Sequence, residues 1–395
     1  MPGNVRGEAG WNRRCLFGIG LAGIAARVWL WWFSVGSNDA AIWYGHAQHV
    51  LVEGLVNTYR NYQTFPQFNH PPLMGLYAAS ARLWTGDNLW NFARLIKLPG
   101  LAGEALTLWA LWRFASPRAF ANYACLPAAI LVSSFHGNTD CLYAALVLVA
   151  AIAFDKERYF LSGILWSAAL NVKLLPLALV PLVLLGAPNR RAFGRVAAGF
   201  SLGLVPFLPP ALVAGKAMYQ NLVAYNSFPD NWGIMALLAG GASTKACASV
   251  CGSLKEWWPV AGRYAVLLAT AGVALFSRFR HRIPMSEQAA LGATLFFLLT
   301  PGFAVQYIVL AAPLLCLVDP AVGALWGWTS GIFASAVYGM FAVSWMPIES
   351  RVMVWYPWPA KVLGMLAWTA LACFAWSRLS RAWRPGASLP FSGAV

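Results

Sequence analysis

The residues that could do chemistry are polar groups standing where the chain is otherwise apolar. Asp39, in Gly36-Ser37-Asn38-Asp39, is a carboxylate placed just after a long apolar run. A carboxylate at its ordinary pKa can take the proton of an attacking hydroxyl. Aspartate is also among the best helix N-caps, so capping and proton abstraction are both open for Asp39, and they can coexist. His46, His49 and Glu53 follow it at steps of seven, three and four residues, which puts them on one helical face. Such a face can ligate a metal, or it can be the polar side of a helix lying in a membrane interface, the simpler reading. His70 precedes Pro71-Pro72, either capping the helix those prolines begin or contacting substrate. His136, Asn138 and Asp140 cluster in Ser134-Phe135-His136-Gly137-Asn138-Thr139-Asp140. Lys173 is an ammonium within an apolar stretch, a placement that costs roughly 2.5–3.5 kcal/mol on insertion scales. That cost points to anion binding, phosphate above all, or to pairing with Asp140. Gln306 and Tyr307, polar groups before a proline-containing apolar run, could contact a substrate or could simply close a helix end. Arg351 is a second phosphate candidate, with snorkelling to lipid headgroups as its alternative. Arg27, in mid-span, reads as an organiser of helix packing. A base together with cations for a departing phosphate is the minimum equipment for group transfer from a phosphate ester.

The elements that must position these groups are membrane helices. The chain has 395 residues, 59% hydrophobic and 10% charged, with a mean hydropathy of +0.59. A soluble protein would carry roughly a quarter of its residues charged. The expected fold class is all-α, a polytopic membrane protein of about 10–12 transmembrane helices with a large first external loop carrying interfacial helices. Residues 1–14 form a cytoplasmic tail, held inside by Arg13 and Arg14. The transmembrane domain is expected over 15–377, with external loops at about 36–72 and 214–258, and a basic cytoplasmic tail over 378–395. The formal charge of +15 falls largely in short connectors: Arg190, Arg191 and Arg195, then Arg278 to Arg282, then Arg378 to Arg384. That is the pattern of cytoplasmic loops touching anionic lipid headgroups, and it argues against nucleic acid as partner. Cys247 and Cys251 share an external segment and could form a disulfide or stay reduced, since spacing alone fixes no geometry. Zinc there lacks a second ligand pair.

Individual spans follow from apolar runs. One is expected over Leu95 to Phe114 with Lys97 and Glu104 inside it, and another from Phe120 to Phe135. Tyr159 to Leu185 is broken by Asn171, Lys173 and Pro176, as in helices that line a cavity. If Pro71 to Trp84 only dips into the outer leaflet, the positive-inside bias is better satisfied. That arrangement also gathers Asp39, His70, His136, Asp140 and Lys173 on one side of the membrane.

These stretches resemble the GT-C superfamily of multi-pass glycosyltransferases that use polyprenyl-phosphate sugars. Asp39 sits where those enzymes place an essential external-loop aspartate. Asn69-His70-Pro71-Pro72-Leu73 resembles the Tyr-Pro-Pro step of the endoplasmic-reticulum glucosyltransferases that extend lipid-linked oligosaccharides. The 134–140 segment, followed by Asn171-Val172-Lys173-Leu174-Leu175-Pro176, resembles the Arg-Gly-Asn-x-Asp and His-x-Lys-x-x-Pro pair of the first GPI mannosyltransferase. Gln306-Tyr307 resembles the same family's Gln-Tyr segment. The resemblance implies Asp39 as base, with His70, His136, Asn138, Asp140, Lys173, Gln306, Tyr307 and Arg351 around the donor phosphate and sugar. It implies an inverting transfer of a hexose, with mannose expected, from a polyprenyl-phosphate donor to a hydroxyl of a membrane-associated glycan or glycolipid on the external face. Two departures bear on this. The Asp-x-Asp of the GPI enzyme is reduced to Asn38-Asp39, so a divalent cation is not expected to be required, and His136 replaces an arginine. Arginine-over-lysine usage points to a bacterial plasma membrane. The alternative is a multi-pass transporter or lipid flippase, which would show inverted repeats and a midplane polar path. No repeat is visible in the sequence, and the polar residues gather toward one surface.

Overall fold

The structure is a computed structural model and describes residues 13–64, 66–225, 227–244, 247–281, 283–341 and 356–382. Among them it is all α-helical, as composition requires. The chain opens with α1 (Arg13–Phe33), α2 (Asp39–Glu53), α3 (Leu55–Asn61), α4 (Pro72–Thr85) and α5 (Leu89–Phe114). The middle holds α6 (Pro117–Ala124), α7 (Pro127–Ile130), α8 (Asp140–Asp155), α9 (Tyr159–Val172), α10 (Val180–Leu185), α11 (Arg190–Gly203) and α12 (Leu208–Met218). The last part comprises α13 (Gly233–Ala242), α14 (Ala248–Phe276), α15 (Met285–Leu299), α16 (Ala311–Val318), α17 (Pro320–Phe341) and α18 (Trp358–Ala382).

Four helical stretches are long and apolar enough to cross a bilayer: Arg14–Phe33, Arg190–Val223, Ala248–Phe279 and Trp358–Ser380. Their outward faces carry bare apolar side chains such as Trp29, Leu212, Leu268 and Trp376, the signature of a surface solvated by lipid tails. The chain is therefore a polytopic membrane protein. Of the other expected crossings, Leu95 to Phe114 is continuous within α5, whereas Phe120 to Phe135 is divided. Pro117 and Pro127 each occupy the first turn of a helix, where proline's missing N–H is tolerated. The run from Phe120 to Phe135 thus becomes α6, α7 and a π-helical turn over Leu131–Phe135. At 14 residues, α4 reaches only about 21 Å at 1.5 Å per residue, short of a bilayer core. The basic tail expected from 378 begins inside α18, where Arg378 pairs with Asp319 at 3.0 Å. Cys247 and Cys251 are both free thiols, one turn apart at the start of α14.

Buried charge and close glycine contacts hold the helices together. Arg27 of α1 meets Glu104 of α5 at 2.7 Å, and the Tyr123 hydroxyl of α6 donates to the other Glu104 oxygen at 2.8 Å. Arg27 also donates to the Gly23 and Ala124 carbonyls. Lys97 donates to the Ser34 carbonyl at 2.7 Å, pinning α5 to the end of α1. Along α9 and α11 the two backbones nearly touch: a Cβ on Gly163 would strike the Val196 carbonyl, and one on Gly199 the Phe160 carbonyl. Asn171 closes the top of that seam by donating to Gly203 O at 2.7 Å. α8, buried along almost its whole length, fills the centre, as expected for a helix apolar all round.

Removing one partner of a buried pair strands the other charge, at a cost of about 3–5 kcal/mol. Glu104→Ala is therefore expected to lower the thermal unfolding midpoint in detergent more than the double change Arg27→Leu with Glu104→Leu. A double variant less stable than the single one would contradict this account of the pair.

Candidate active site

The site is assembled where two loops cross. Gly36 (φ +111°) and Gly137 (φ +83°) both lie in the left-handed region, which residues with a Cβ rarely adopt. A Cβ on Gly36 would collide with the Phe135 carbonyl, and one on Gly137 would sit 3.3 Å from Ala40 Cβ. With no Cβ in the way, Ser37 N–H donates to the His136 carbonyl at 3.2 Å. Ser37 Oγ donates to the same carbonyl at 2.7 Å and lies 2.9 Å from His136 Nδ1. The π-helical turn ending at Phe135 delivers His136 to this point, and such turns are frequent at functional sites.

Asp39 is the first residue of α2, yet its side chain does not cap that helix. Its Oδ2 instead accepts from Asn138 Nδ2 at 2.9 Å and faces His136 Nε2 at 3.0 Å. That second contact is close but off the line of a good hydrogen bond. Oδ1 is left for the cavity. Burial on its own would raise the Asp39 carboxyl; the His136 ring and its contact, the Lys173 charge and the Asn138 amide outweigh it and hold the group at about 2.

Lys173 follows the last turn of α9 in extended backbone. Its Nζ donates to both Asp140 oxygens, at 2.8 and 3.0 Å, and lies 4.9 Å from the Tyr307 ring centre. Pairing with Asp140 is thus realised, and Lys173 still lines the cavity. His70 does not cap α4, whose N-cap is Pro71. Its ring lies flat on Trp43, centroids 3.6 Å apart and planes 19° from parallel, while its carbonyl accepts from the Tyr59 hydroxyl at 2.6 Å.

One cavity of about 120 Å³ is lined by Asp39, His70, His136, Asn138, Lys173, Gln306 and Tyr307, with Trp43, His46 and Tyr338 among their neighbours. Gln306 and Tyr307 reach it from the 3₁₀ turn Val305–Leu310, braced by Val305 N–H donating to the Tyr356 hydroxyl at 3.1 Å. The Gln306 amide has no protein partner among the described residues. Asp140 stays behind Lys173, fully buried. Arg351 lies outside the described residues, as does Glu349 beside it.

The histidine face of α2 is divided among other duties. His46 lines the cavity with Nε2 at 3.1 Å from the Pro66 carbonyl. His49 stacks on Tyr62 and meets Glu53 at 3.4 Å, while Glu53 accepts from Asn61 and Tyr62. No group of three or more His, Cys, Asp or Glu among the described residues is arranged to hold a metal ion. Sequence reasoning passed over Ser37, Trp43 and Tyr338. Ser37 and Gly36 adjoin Asp39 and carry a turn signal, but Tyr338 sits in an apolar helix where no local feature marks it.

Among known protein families, the model described as Glycosyltransferase family 87 matches residues 68–301, more than half of the chain. The matched span includes His70, His136, Asn138, Asp140 and Lys173, while the Gln306-Tyr307 pair lies just beyond it and Asp39 well before it. No curated protein matches.

Because the folded Asp39 carboxyl is depressed from 3.8 to about 2, ionised Asp39 stabilises the fold above pH 3.8 and that contribution is lost as pH falls toward 2. His136→Gln removes the largest opposing charge, so the folded carboxyl rises toward its unfolded value; the variant starts less stable at pH 6 and loses less stability than wild type as pH falls. Melting midpoints of both proteins followed from pH 6 down to pH 3 check this; parallel curves would contradict it.

Proposed function

Since the chain belongs to glycosyltransferase family 87, we propose that this membrane glycosyltransferase moves one hexose, with mannose the expected sugar, from a polyprenyl-phosphate donor to a hydroxyl of a membrane-associated glycan or glycolipid. The observation that carries the reading is that Asp39 and Lys173, the latter paired with Asp140 behind it, face one cavity from the ends of different helices. In the proposed reaction the acceptor oxygen attacks C1 of the sugar. The C1–O bond to phosphate breaks with its electron pair going to the phosphate, and the hydroxyl proton passes to Asp39 Oδ1. A carboxylate held near 2 is a weak base, so it takes the proton late, once bond formation has made the hydroxyl acidic. Lys173 and the amides of Asn138 and Gln306 stabilise the charge that builds on the phosphate, with His136 held behind them on Asp39. His70 and Tyr307 close around the sugar. A single displacement inverts the anomeric centre, so a β-linked donor gives an α-linked product. No divalent cation is required in this scheme.

Orientation is part of the proposal. Lys156, Arg158, Arg190 and Arg191 lie at the ends of α8, α9 and α11 remote from Lys173, and a basic end favours the cytoplasm. We therefore place the cavity on the external face, with the 36–72 and 214–258 loops outside, both tails inside, and the enzyme in a bacterial plasma membrane. The transporter or flippase reading is set aside, because membership of the family assigns transferase chemistry.

Purified protein in nanodiscs, supplied with synthetic polyprenyl-phosphate mannose and a membrane glycolipid extract, should transfer label. Asp39→Asn is expected to reduce kcat by about 10²-fold or more, and Lys173→Gln to reduce it by a similar factor through loss of phosphate stabilisation. Full activity in Asp39→Asn would remove Asp39 from the mechanism.

A further inference from the structure

The transfer leaves a proton on Asp39 that must depart before the next cycle, and few protein groups around that carboxyl are free to take it. His136 is nearest but has no open nitrogen: Nε2 faces Asp39, and Nδ1 is taken by Ser37 Oγ. An ionised carboxylate at 3.0 Å demands an N–H at Nε2, so that position is already protonated. His46 is closed too, its Nε2 at the Pro66 carbonyl and its Nδ1 sealed from solvent. Lys173 is engaged with Asp140. His70 differs from all of these. It lines the cavity, and neither ring nitrogen has a protein hydrogen bond among the described residues. The ring is nevertheless fixed, flat against Trp43 and edge-on to Phe68 and His46, with its carbonyl held by Tyr59. A neutral imidazole always carries one bare lone pair. Here that lone pair is immobilised in the chamber that holds the protonated acid.

We propose that His70 is a second catalytic residue, the group that receives the proton from Asp39 after sugar transfer and releases it to external water. This rests on the transferase reading given above. The balance is simple. The acceptor O–H bond breaks as its oxygen bonds to C1, the phosphate leaves with the electron pair, and the proton moves from Asp39 Oδ1 to a ring nitrogen of His70 and then to water. Both side chains return to their starting states. The ionisable groups facing His70 are Asp39 and His46 from α2, Tyr59 from α3, and Lys173 beyond α9. Burial first, then His46 and Lys173, hold His70 well below its ordinary 6.5, against the opposing pull of Asp39. A ring so placed begins each cycle neutral and gives up a received proton readily.

The test compares wild type, His70→Gln and His70→Ala in the nanodisc assay across pH 6–9. In His70→Gln we expect kcat to fall by about 10²-fold, a larger effect than any rise in donor KM, with an enlarged solvent deuterium isotope effect and a rate that rises with buffer concentration. In His70→Ala, added imidazole should restore kcat in proportion to its neutral fraction. Should His70→Ala fail to fold, the glutamine variant carries the test through its isotope and buffer effects. Wild-type kcat retained in His70→Gln would overturn the relay, as would a loss that appears in KM alone and ignores both buffer and imidazole. A wild-type protein without lipid-phosphate transfer would overturn the parent reading and the relay together, so the two failures are told apart by the wild-type arm.

Discussion

An ionised carboxylate inside an apolar bundle persists only if donors and cations are brought to it, because the surrounding medium solvates it poorly. In this chain that service depends on one backbone crossing, where Gly36-Ser37 passes Phe135-His136-Gly137 without intervening side chains. The crossing places a histidine and an asparagine on Asp39 from a loop about a hundred residues further along. It also determines which carboxylate oxygen is left open. Everything proposed for the cavity follows from that choice, since Oδ2 is engaged by Asn138 and His136 and Oδ1 is the oxygen to which the proposal gives the proton.

The other buried charges obey the same rule. Arg27 and Glu104 neutralise each other and lock three helices; Lys97 is satisfied by the carbonyl and hydroxyl of Ser34. None of them reaches the cavity. Lys173 and Asp140 are also paired, but their pair is placed at a helix end with one member open to the chamber. Position along a helix, more than the presence of charge, separates a structural pair from one that can meet substrate.

What the sequence made legible was polarity out of place. Asp39, His136 and Lys173 stood out because burying such groups is costly, and the structure brings them to one cavity. The all-α membrane architecture likewise followed from hydropathy and the scarcity of charge. Hydropathy is nearly blind to breaks, so the run from Phe120 to Phe135 looked continuous although Pro127 starts a new helix. Spacing put His46, His49 and Glu53 on one face, yet their partners Pro66, Tyr62 and Asn61 come from the returning chain, which no local pattern contains. The Trp43–His70 stack and the lining by Tyr338 were hidden for the same reason: both are contacts between elements distant in sequence.

The α9–α11 seam has a consequence of its own. With Gly163 and Gly199 letting two backbones ride against each other and Asn171 fastening the upper end, the pair behaves as a stiff strut carrying Lys173 at its tip. Gly163 lies ten residues below that tip, about 15 Å at helical rise. A methyl group inserted there would push against bilayer-embedded backbone, and the displacement would be felt at the cavity-lining ammonium of Lys173. Seemingly inert small residues deep in the lipid-spanning part are therefore as constrained by catalysis as the charged residues above them.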